Sequence, residues 1–301
     1  MSDSGHRCGF IAIVGRPNVG KSTLLNRILG QKISITSSKP QTTRHRILGI
    51  RSGERLQAIY VDTPGIHLQA KSAMNRYLNR VASASLQDVD LILFMVEALR
   101  WGTEDELVLE RIRQAKAPVI LLVNKVDRVT DKSRLLPYLQ ELGGRYGFEE
   151  VLPISATRRS DLLRVEEVVE RLLPQQPPVF PPEQITDRSE RFLAAEIVRE
   201  KLMRRLGQEL PYGLTVEIER FRRRGNGLVE IGAVIWVERS SHKGMVIGRD
   251  GGQLKKVGAQ ARRDMERLLD SRVFLQLWVK VKEGWSDDER ALRSLGYSDE
   301  G

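Results

Sequence analysis

The chain is 301 residues long, 41% hydrophobic and 29% charged, which fits a soluble protein of two domains, each able to bury its own core. Cys8 is the one cysteine and the four histidines (His6, His45, His67, His242) share no ligand-like spacing, which excludes an internal disulfide, a multi-thiolate metal site and a structural zinc. The net charge of +10 points only weakly to a polyanionic partner, since excess charge also serves solubility.

The placement of that charge says more. Residues 1–173 carry +7 and residues 174–301 only +3, yet the window 239–267 holds eight basic residues against three acidic ones. An acidic end (Asp287, Asp288, Glu289, Asp299, Glu300) hides this local surplus. No run approaches the ~18 apolar residues of a spanning helix and no signal peptide is visible, so the expected setting is the cytosol. A peripheral contact with the cytoplasmic face of the inner membrane stays open.

From the N-terminus, short apolar runs alternate with amphipathic stretches, the pattern of a mostly parallel sheet covered by helices. Strands are expected over 10–14, 56–62, 90–96, 119–124 and 151–154, and a further strand over 47–51 pairs with 56–62 through the Ser52-Gly53-Glu54 turn. Helices are expected from Lys21, about Ser72, Glu104 and Leu162. Residues 174–182 contain five prolines and read as a stiff, extended linker, taken as 174–187, at a domain boundary. A helix over 191–206 follows, with Leu193, Ile197 and Leu202 buried. Then come strands over 214–221 and 228–238, two helices joined by a loop, and a strand over 273–281. Trp236 and Trp278 fall within these strands and read as core, and residues 286–301 read as an acidic tail.

Gly15-Arg16-Pro17-Asn18-Val19-Gly20-Lys21-Ser22 joins the first strand to the first helix. Such a loop wraps backbone amides around nucleotide phosphates, sends Lys21 to the β- and γ-phosphates and offers the Ser22 hydroxyl to Mg2+. Asp62-Thr63-Pro64-Gly65 ends the 56–62 strand. Asp62 would hold Mg2+ through water, and the Gly65 amide would bond the γ-phosphate until that phosphate leaves. Asn124-Lys125-Val126-Asp127 ends the 119–124 strand, and a carboxylate at Asp127 accepts from the guanine ring N–H and 2-amino group, donors that adenine lacks. Ser155-Ala156, at the next strand end, offers a backbone amide to guanine O6. In Gln41-Thr42-Thr43-Arg44, Thr43 is the expected γ-phosphate sensor and completes the metal set with Ser22 and Asp62. Four motifs in order, each at the C-terminal end of a strand, point to one guanine-nucleotide site whose catalytic residues are Lys21, Thr43, Gly65 and Asn18.

Ile66 stands where Ras-like proteins carry the glutamine that orients the attacking water. An isoleucine cannot hydrogen-bond water, so hydrolysis needs another device. In potassium-dependent relatives an asparagine at the position of Asn18 helps to hold a K+ ion; Asn18 reads equally well as a cap of the loop.

In the C-terminal part, Val246-Ile247-Gly248-Arg249-Asp250-Gly251-Gly252 contains a Gly-x-x-Gly loop, where missing side chains let a nucleic-acid backbone approach. The following helix sets Leu254, Val257, Ala261, Met265 and Leu268 on one face and leaves Lys255, Lys256, Arg262 and Arg263 for phosphates. Ile247 and its apolar neighbours would line the groove for bases. Arg222-Arg223-Arg224 reads first as a solvated hairpin tip and second as a further RNA contact.

Residues 9–26 (Gly-Phe-Ile-Ala-Ile-Val-Gly-Arg-Pro-Asn-Val-Gly-Lys-Ser-Thr-Leu-Leu-Asn), with 30–36 and 41–46, closely resemble the bacterial Era GTPases. The resemblance spans nearly the whole chain, because the C-terminal half fits the type II KH domain of that family better than it fits EngA or the tRNA-modifying MnmE. It implies an α/β P-loop GTPase domain (1–173), a mostly parallel sheet flanked by helices, followed by a smaller α+β type II KH domain (188–285). It further implies hydrolysis of GTP to GDP with Mg2+, and binding of the 3′ end of 16S rRNA during maturation of the 30S subunit. A monomer without an obligate protein partner is expected. A GTPase acting on tRNA would need a one-carbon cofactor domain or a catalytic cysteine, and neither is visible. An RNA-binding adaptor with a structural nucleotide site would not need Lys21, Ser22, Thr43 and Asp62 together.

Overall fold

The computed structural model describes residues 5–37, 39, 41–65, 72–206 and 213–297. They fall into two units: one within 1–34, 43–70 and 78–187, the other within 35–42, 71–77 and 188–301.

In the first unit, β1 (Arg7–Val14), β2 (Ile47–Ser52), β3 (Leu56–Asp62), β4 (Leu91–Glu97), β5 (Val119–Asn124) and β6 (Glu150–Pro153) form a sheet of order β2-β3-β1-β4-β5-β6. Only β2 runs antiparallel, paired with β3 from Ile47↔Asp62 to Ser52↔Gln57. The segments LILFMVE and VILLVN of β4 and β5 are almost wholly buried, as strands covered on both faces must be. The connecting helices are α1 (Lys21–Leu29), α2 (Ala73–Ala84), α3 (Thr103–Ile112), α4 (Leu135–Gly143) and α5 (Arg159–Leu172). α3 starts where Asp105 accepts from the Gly102 amide at 3.0 Å, and Glu104, Asp105 and Glu106 complement the positive end of its dipole. The sequence reading missed α4. Leu135, Tyr138, Leu139 and Leu142 do stand at helical spacing, and Tyr138, Leu139 and Leu142 pack on the core, but Pro137 in the first turn reads in sequence as a break.

The proline-rich stretch differs from the expected linker, because it is strapped along the sheet of the first unit. Cys8 donates its amide to Pro174 (3.1 Å), Gln176 to His6 (3.1 Å) and Ile50 to Ile185 (2.8 Å). The Gln57 side chain accepts from the amides of Val179 (2.7 Å) and Phe180 (2.9 Å) and donates to the Phe180 carbonyl (2.8 Å). Phe180 packs against a cluster of Cys8, Leu48, Ile50, Ile59 and Val61. The prolines keep the segment extended, and a buried glutamine gives its backbone the partners it would otherwise find in water.

In the second unit, α6 (Glu190–Arg205) precedes β7 (Leu214–Arg223) and β8 (Leu228–Val237), followed by α7 (Ser240–Ile247), α8 (Gly252–Leu269), β9 (Arg272–Val281) and α9 (Glu289–Ser294). The sheet order is β7-β8-β9, with β7 antiparallel and β9 parallel to β8. Ile197 and Leu202 of α6 and Val257, Ala261 and Met265 of α8 share one core with Val229, Ile231, Ala233 and Ile235 of β8. The period-2 alternation of the strands sends Trp278 and Trp236 to the opposite face. Trp278 is 42% exposed and Trp236 half-buried, which corrects the reading of both as core. The expected acidic tail is also folded as far as residue 297. Asp288 caps α9 by accepting from the amides of Arg290 (2.8 Å) and Ala291 (3.3 Å), and Leu292 and Tyr297 are buried. Within this unit, Glu200 accepts from the Thr36 amide at 3.0 Å. The buried Arg199, paired with Glu196 at 2.6 Å, reaches the Thr42 carbonyl, and Asp287 accepts from the Ala73 amide at 3.0 Å. Among the described residues, no helix is long and apolar enough to cross a membrane.

Candidate functional site

In an open parallel sheet, ligands gather beyond the carboxyl ends of the strands, and the sequence motifs meet there. β1 ends at Val14, the loop of residues 15–20 follows, and α1 opens at Lys21. At Gly20, φ is 117°, and a Cβ would fall 2.3 Å from Asn124 Nδ2, so the loop can pass the end of β5 only without a side chain. Asn124 in turn donates to the Val19 carbonyl at 2.7 Å and accepts from the Ala156 amide at 2.9 Å. Lys21 is 6% exposed and donates to the carbonyls of Gly15 (2.8 Å) and Arg16 (3.0 Å). Burial pushes its ammonium down to about 8, against the pull of Asp62.

Ser22 Oγ lies 2.8 Å from the Asp62 carboxylate and 3.0 Å from Thr43 Oγ1, so the three expected metal residues come together. Asp62 is fully buried, and burial raises its carboxyl against the hydroxyls of Ser34 and Ser22 and the charge of Lys21. Its Oδ1 has no hydrogen-bond partner among the described residues. Hydroxyl and carboxylate oxygens with one orphaned buried oxygen fit a hard divalent cation such as Mg2+, which keeps several positions for water and phosphate.

Beyond the end of β5, Asp127 is exposed, and the Ser155 hydroxyl holds its carboxyl below the usual range. Lys125, at φ 67°, donates to Glu97 at 3.0 Å, and the next residues, Val126–Arg128, form a single turn. The amides expected to meet guanine O6 are engaged: Ala156 donates to Asn124, and Ser155 to Asp161 at 2.7 Å. Thr63 is tied to the Ile13 carbonyl at 3.0 Å, while Gly65 comes so close to Pro17 that a Cβ would lie 2.9 Å from its nitrogen. Asn18 is exposed at φ 64°, and Ile66 lies outside the described residues.

Four residues went unnoticed in the sequence. Ser34 donates to Asp62 at 2.7 Å, and Asn26 accepts from the Ile33 and Ser34 amides, both at 3.0 Å, which fixes that serine. Glu97 takes Arg16 and Lys125 on one oxygen, each at 3.0 Å, and buried Asp105 takes Arg16 at 3.2 Å. Burial pushes the Glu97 carboxyl up, but the two cations prevail and leave it below its ordinary value. The polar ends of β4 and α3 were the available signal.

In the second unit, the Gly-x-x-Gly loop joins α7 to α8. Gly248 has φ 72°, and a Cβ there would lie 2.6 Å from that of Gln253. Gly251 donates to the Gly248 carbonyl at 3.2 Å, closing a tight turn that leaves Arg249 and Asp250 exposed. Lys255, Lys256, Arg262 and Arg263 are exposed along α8, whereas Ile247 packs at the edge of the core.

A family profile described as 50S ribosome-binding GTPase matches residues 10–125, and one described as KH domain matches residues 209–286. GTPase Era of Actinobacillus pleuropneumoniae serotype 5b is 59% identical over 293 residues, 97% of this chain and 96% of the relative. GTPase Era of Histophilus somni strain 129Pt is 56% identical over the full length of both chains. A crystal structure of Era in complex with MgGDPNP and nucleotides 1506–1542 of 16S ribosomal RNA is similar at TM-score 0.94 and 38% identity, covering 97% of this chain and 99% of the other. An Aquifex aeolicus Era variant bound to GDP and aluminium fluoride is similar at TM-score 0.93 and 38% identity, with the same coverage. With these strand-end motifs, this sheet order and full-length identity of this size, the chain belongs to the Era family of GTPases.

Proposed function

We propose that this chain is a GTP-dependent checkpoint of small-subunit assembly, acting in the cytosol on the 30S subunit. In its GTP-bound form it holds the 3′ end of 16S rRNA, and hydrolysis resets it. The nucleotide work falls to residues 1–173 and the RNA work to residues 188–285. The observation that carries the enzymatic reading is the meeting of Ser22, Thr43 and Asp62, within hydrogen-bond distance, one residue from the buried Lys21.

Residues 15–22 wrap the phosphates with backbone amides, and Lys21 balances the charge of the β- and γ-phosphates. Ser22 and Thr43 hold Mg2+ directly, and Asp62 holds it through water. Bound there, the ion offsets charge that develops on the transferred phosphoryl group. Thr43 and the Gly65 amide sense the γ-phosphate. Asn124 braces the base loop, and Asp127 selects guanine. In the RNA unit, Gly248 and Gly251 let the strand approach, while Arg249, Lys255, Lys256 and Arg262 meet its phosphates.

Two variants test the reading. Lys21→Ala should lose nearly all GTP hydrolysis in a Mg2+-supplied single-turnover assay. Arg249→Glu/Asp250→Glu should bind a 16S 3′-end fragment at least tenfold more weakly, because added negative charge and a lost guanidinium act in one direction. A double variant folded by circular dichroism that binds the fragment with unchanged affinity and salt slope would sink the assignment of the loop.

A further inference from the structure

One face of the second unit's sheet turns away from α6 and α8. On β9, residues Phe274, Gln276, Trp278 and Lys280 share this face, in register with Glu230, Gly232, Val234 and Trp236 of β8. Phe274 is 50% exposed and Trp278 42%. A Cβ on Gly232 would lie 3.1 Å from the Trp278 ring, so the missing side chain lets the indole lie against β8. Lys280 stands 5.5 Å above the centre of the Trp236 ring and 2.9 Å from Glu219, and the Trp236 ring N–H donates to Glu217 at 2.9 Å.

The charges around these rings are unevenly engaged. Each carboxylate of the face already has a partner: Glu217 with Trp236, Glu219 with Lys280, and Glu230 with Arg224 at 2.9 Å. Arg220 and Arg222, opposite Gly232 and Glu230 on β7, make no ion pair among the described residues, and neither does Arg272 at the start of β9. What the face offers outward is therefore two aromatic rings and a surplus of positive charge, since Arg220, Arg222, Arg224, Arg272 and Lys280 outnumber Glu217, Glu219 and Glu230.

We propose that this face is a second surface for single-stranded RNA, with Phe274 and Trp278 as stacking platforms and Arg220, Arg222 and Arg272 as phosphate partners. A base stacks on any aromatic face, and a surplus of cations matches a polyanion. Four strand residues separate Phe274 and Trp278 by about 13 Å, so one extended strand can engage both rings. The surface lies away from α8, which carries the Gly-x-x-Gly loop at its start, and the inference does not depend on that loop's role.

The test uses the full-length protein and a single-stranded oligouridylate. Ultraviolet crosslinking should yield RNA-linked peptides containing Phe274 or Trp278, and it should still do so in Arg249→Glu/Asp250→Glu. Phe274→Ala and Trp278→Ala should each weaken binding about tenfold, and Trp278→Phe should restore most of the loss because a ring remains. Arg220→Gln/Arg222→Gln should lower the salt slope by about 1.4, two phosphate contacts on a single strand. Crosslinks confined to residues 248–251, with wild-type affinity in Phe274→Ala/Trp278→Ala, would overturn the proposal. So would self-association of the wild type that this double variant abolishes, since the face would then be a protein interface. If circular dichroism shows the aromatic variants unfolded, the arginine pair decides alone: an unchanged salt slope rejects the surface.

Discussion

The Asn124 side chain donates to the Val19 carbonyl across 2.7 Å, so the strand end that precedes Asp127 also grips the phosphate loop. Its oxygen takes the Ala156 amide at 2.9 Å, and one residue thus ties three loops together. In Asn124→Ala, a buried carbonyl and a buried amide lose their partners, at roughly 1–3 kcal/mol each. The expected result is a loss on the order of 3 kcal/mol in the stability of the nucleotide-binding unit and weaker GDP binding. Urea unfolding with and without GDP checks both, and a wild-type midpoint would contradict the bracing role.

Asp127 stands in solvent with its carboxyl held below the usual range, ready as an anionic acceptor. Asp127→Asn should weaken GTP binding by on the order of 2–3 kcal/mol and shift preference toward xanthosine nucleotides, whose 2-oxo group takes a donor. Calorimetry with both nucleotides measures the shift, and unchanged GTP affinity would mean that another group reads the base.

Burial holds the Lys21 ammonium down to about 8, whereas phosphates brought beside it favour the charged form and raise it. Binding then takes up a proton at any pH above about 8 and below the raised value. Nucleotide affinity should therefore be flat on the acid side of this window and fall as pH rises through it. Titration calorimetry in two buffers of different ionisation enthalpy, just above pH 8, should show proton uptake that Lys21→Arg removes. Equal apparent enthalpies in the two buffers would refute the linkage.

Asn18 projects from the phosphate loop at φ 64°, exposed to solvent. If it supports a potassium ion beside the phosphates, turnover is faster in KCl than in NaCl at equal ionic strength, and Asn18→Ala erases the difference. Equal wild-type rates in the two salts would leave it as a loop cap.

Where one residue's chemistry sets its role, the sequence was a good guide. That Ser22, Thr43 and Asp62 come together was legible, because motifs at successive strand ends of one parallel sheet are carried to the same edge. Strands β3 and β5 were legible to the residue, as buried apolar runs closed by a polar motif. Glu97 and Asp105 were not, because an acidic residue at a strand or helix end reads as solvated until the fold brings Arg16 to it. Trp278 was misjudged because hydrophobic content says that a strand forms, whereas only register says which face a residue occupies. Helix α4 was lost because Pro137 reads as a break, although in the first turn of a helix its missing N–H costs nothing.

The strap of residues 174–187 also closes an exposed border. β2 ends the sheet, and an end strand with open amides and carbonyls invites another chain to add itself. Ile50 already donates to Ile185, and the bridge between Gly49 and Thr186 occupies the neighbouring position. Upstream on the same strap, Pro177, Pro178, Pro181 and Pro182 have no N–H with which to template a further strand. A fragment cut at residue 173 would bare that border and leave Gln57 and Ile50 without their partners, so such a truncation should clump where one ending at Asp187 stays dispersed.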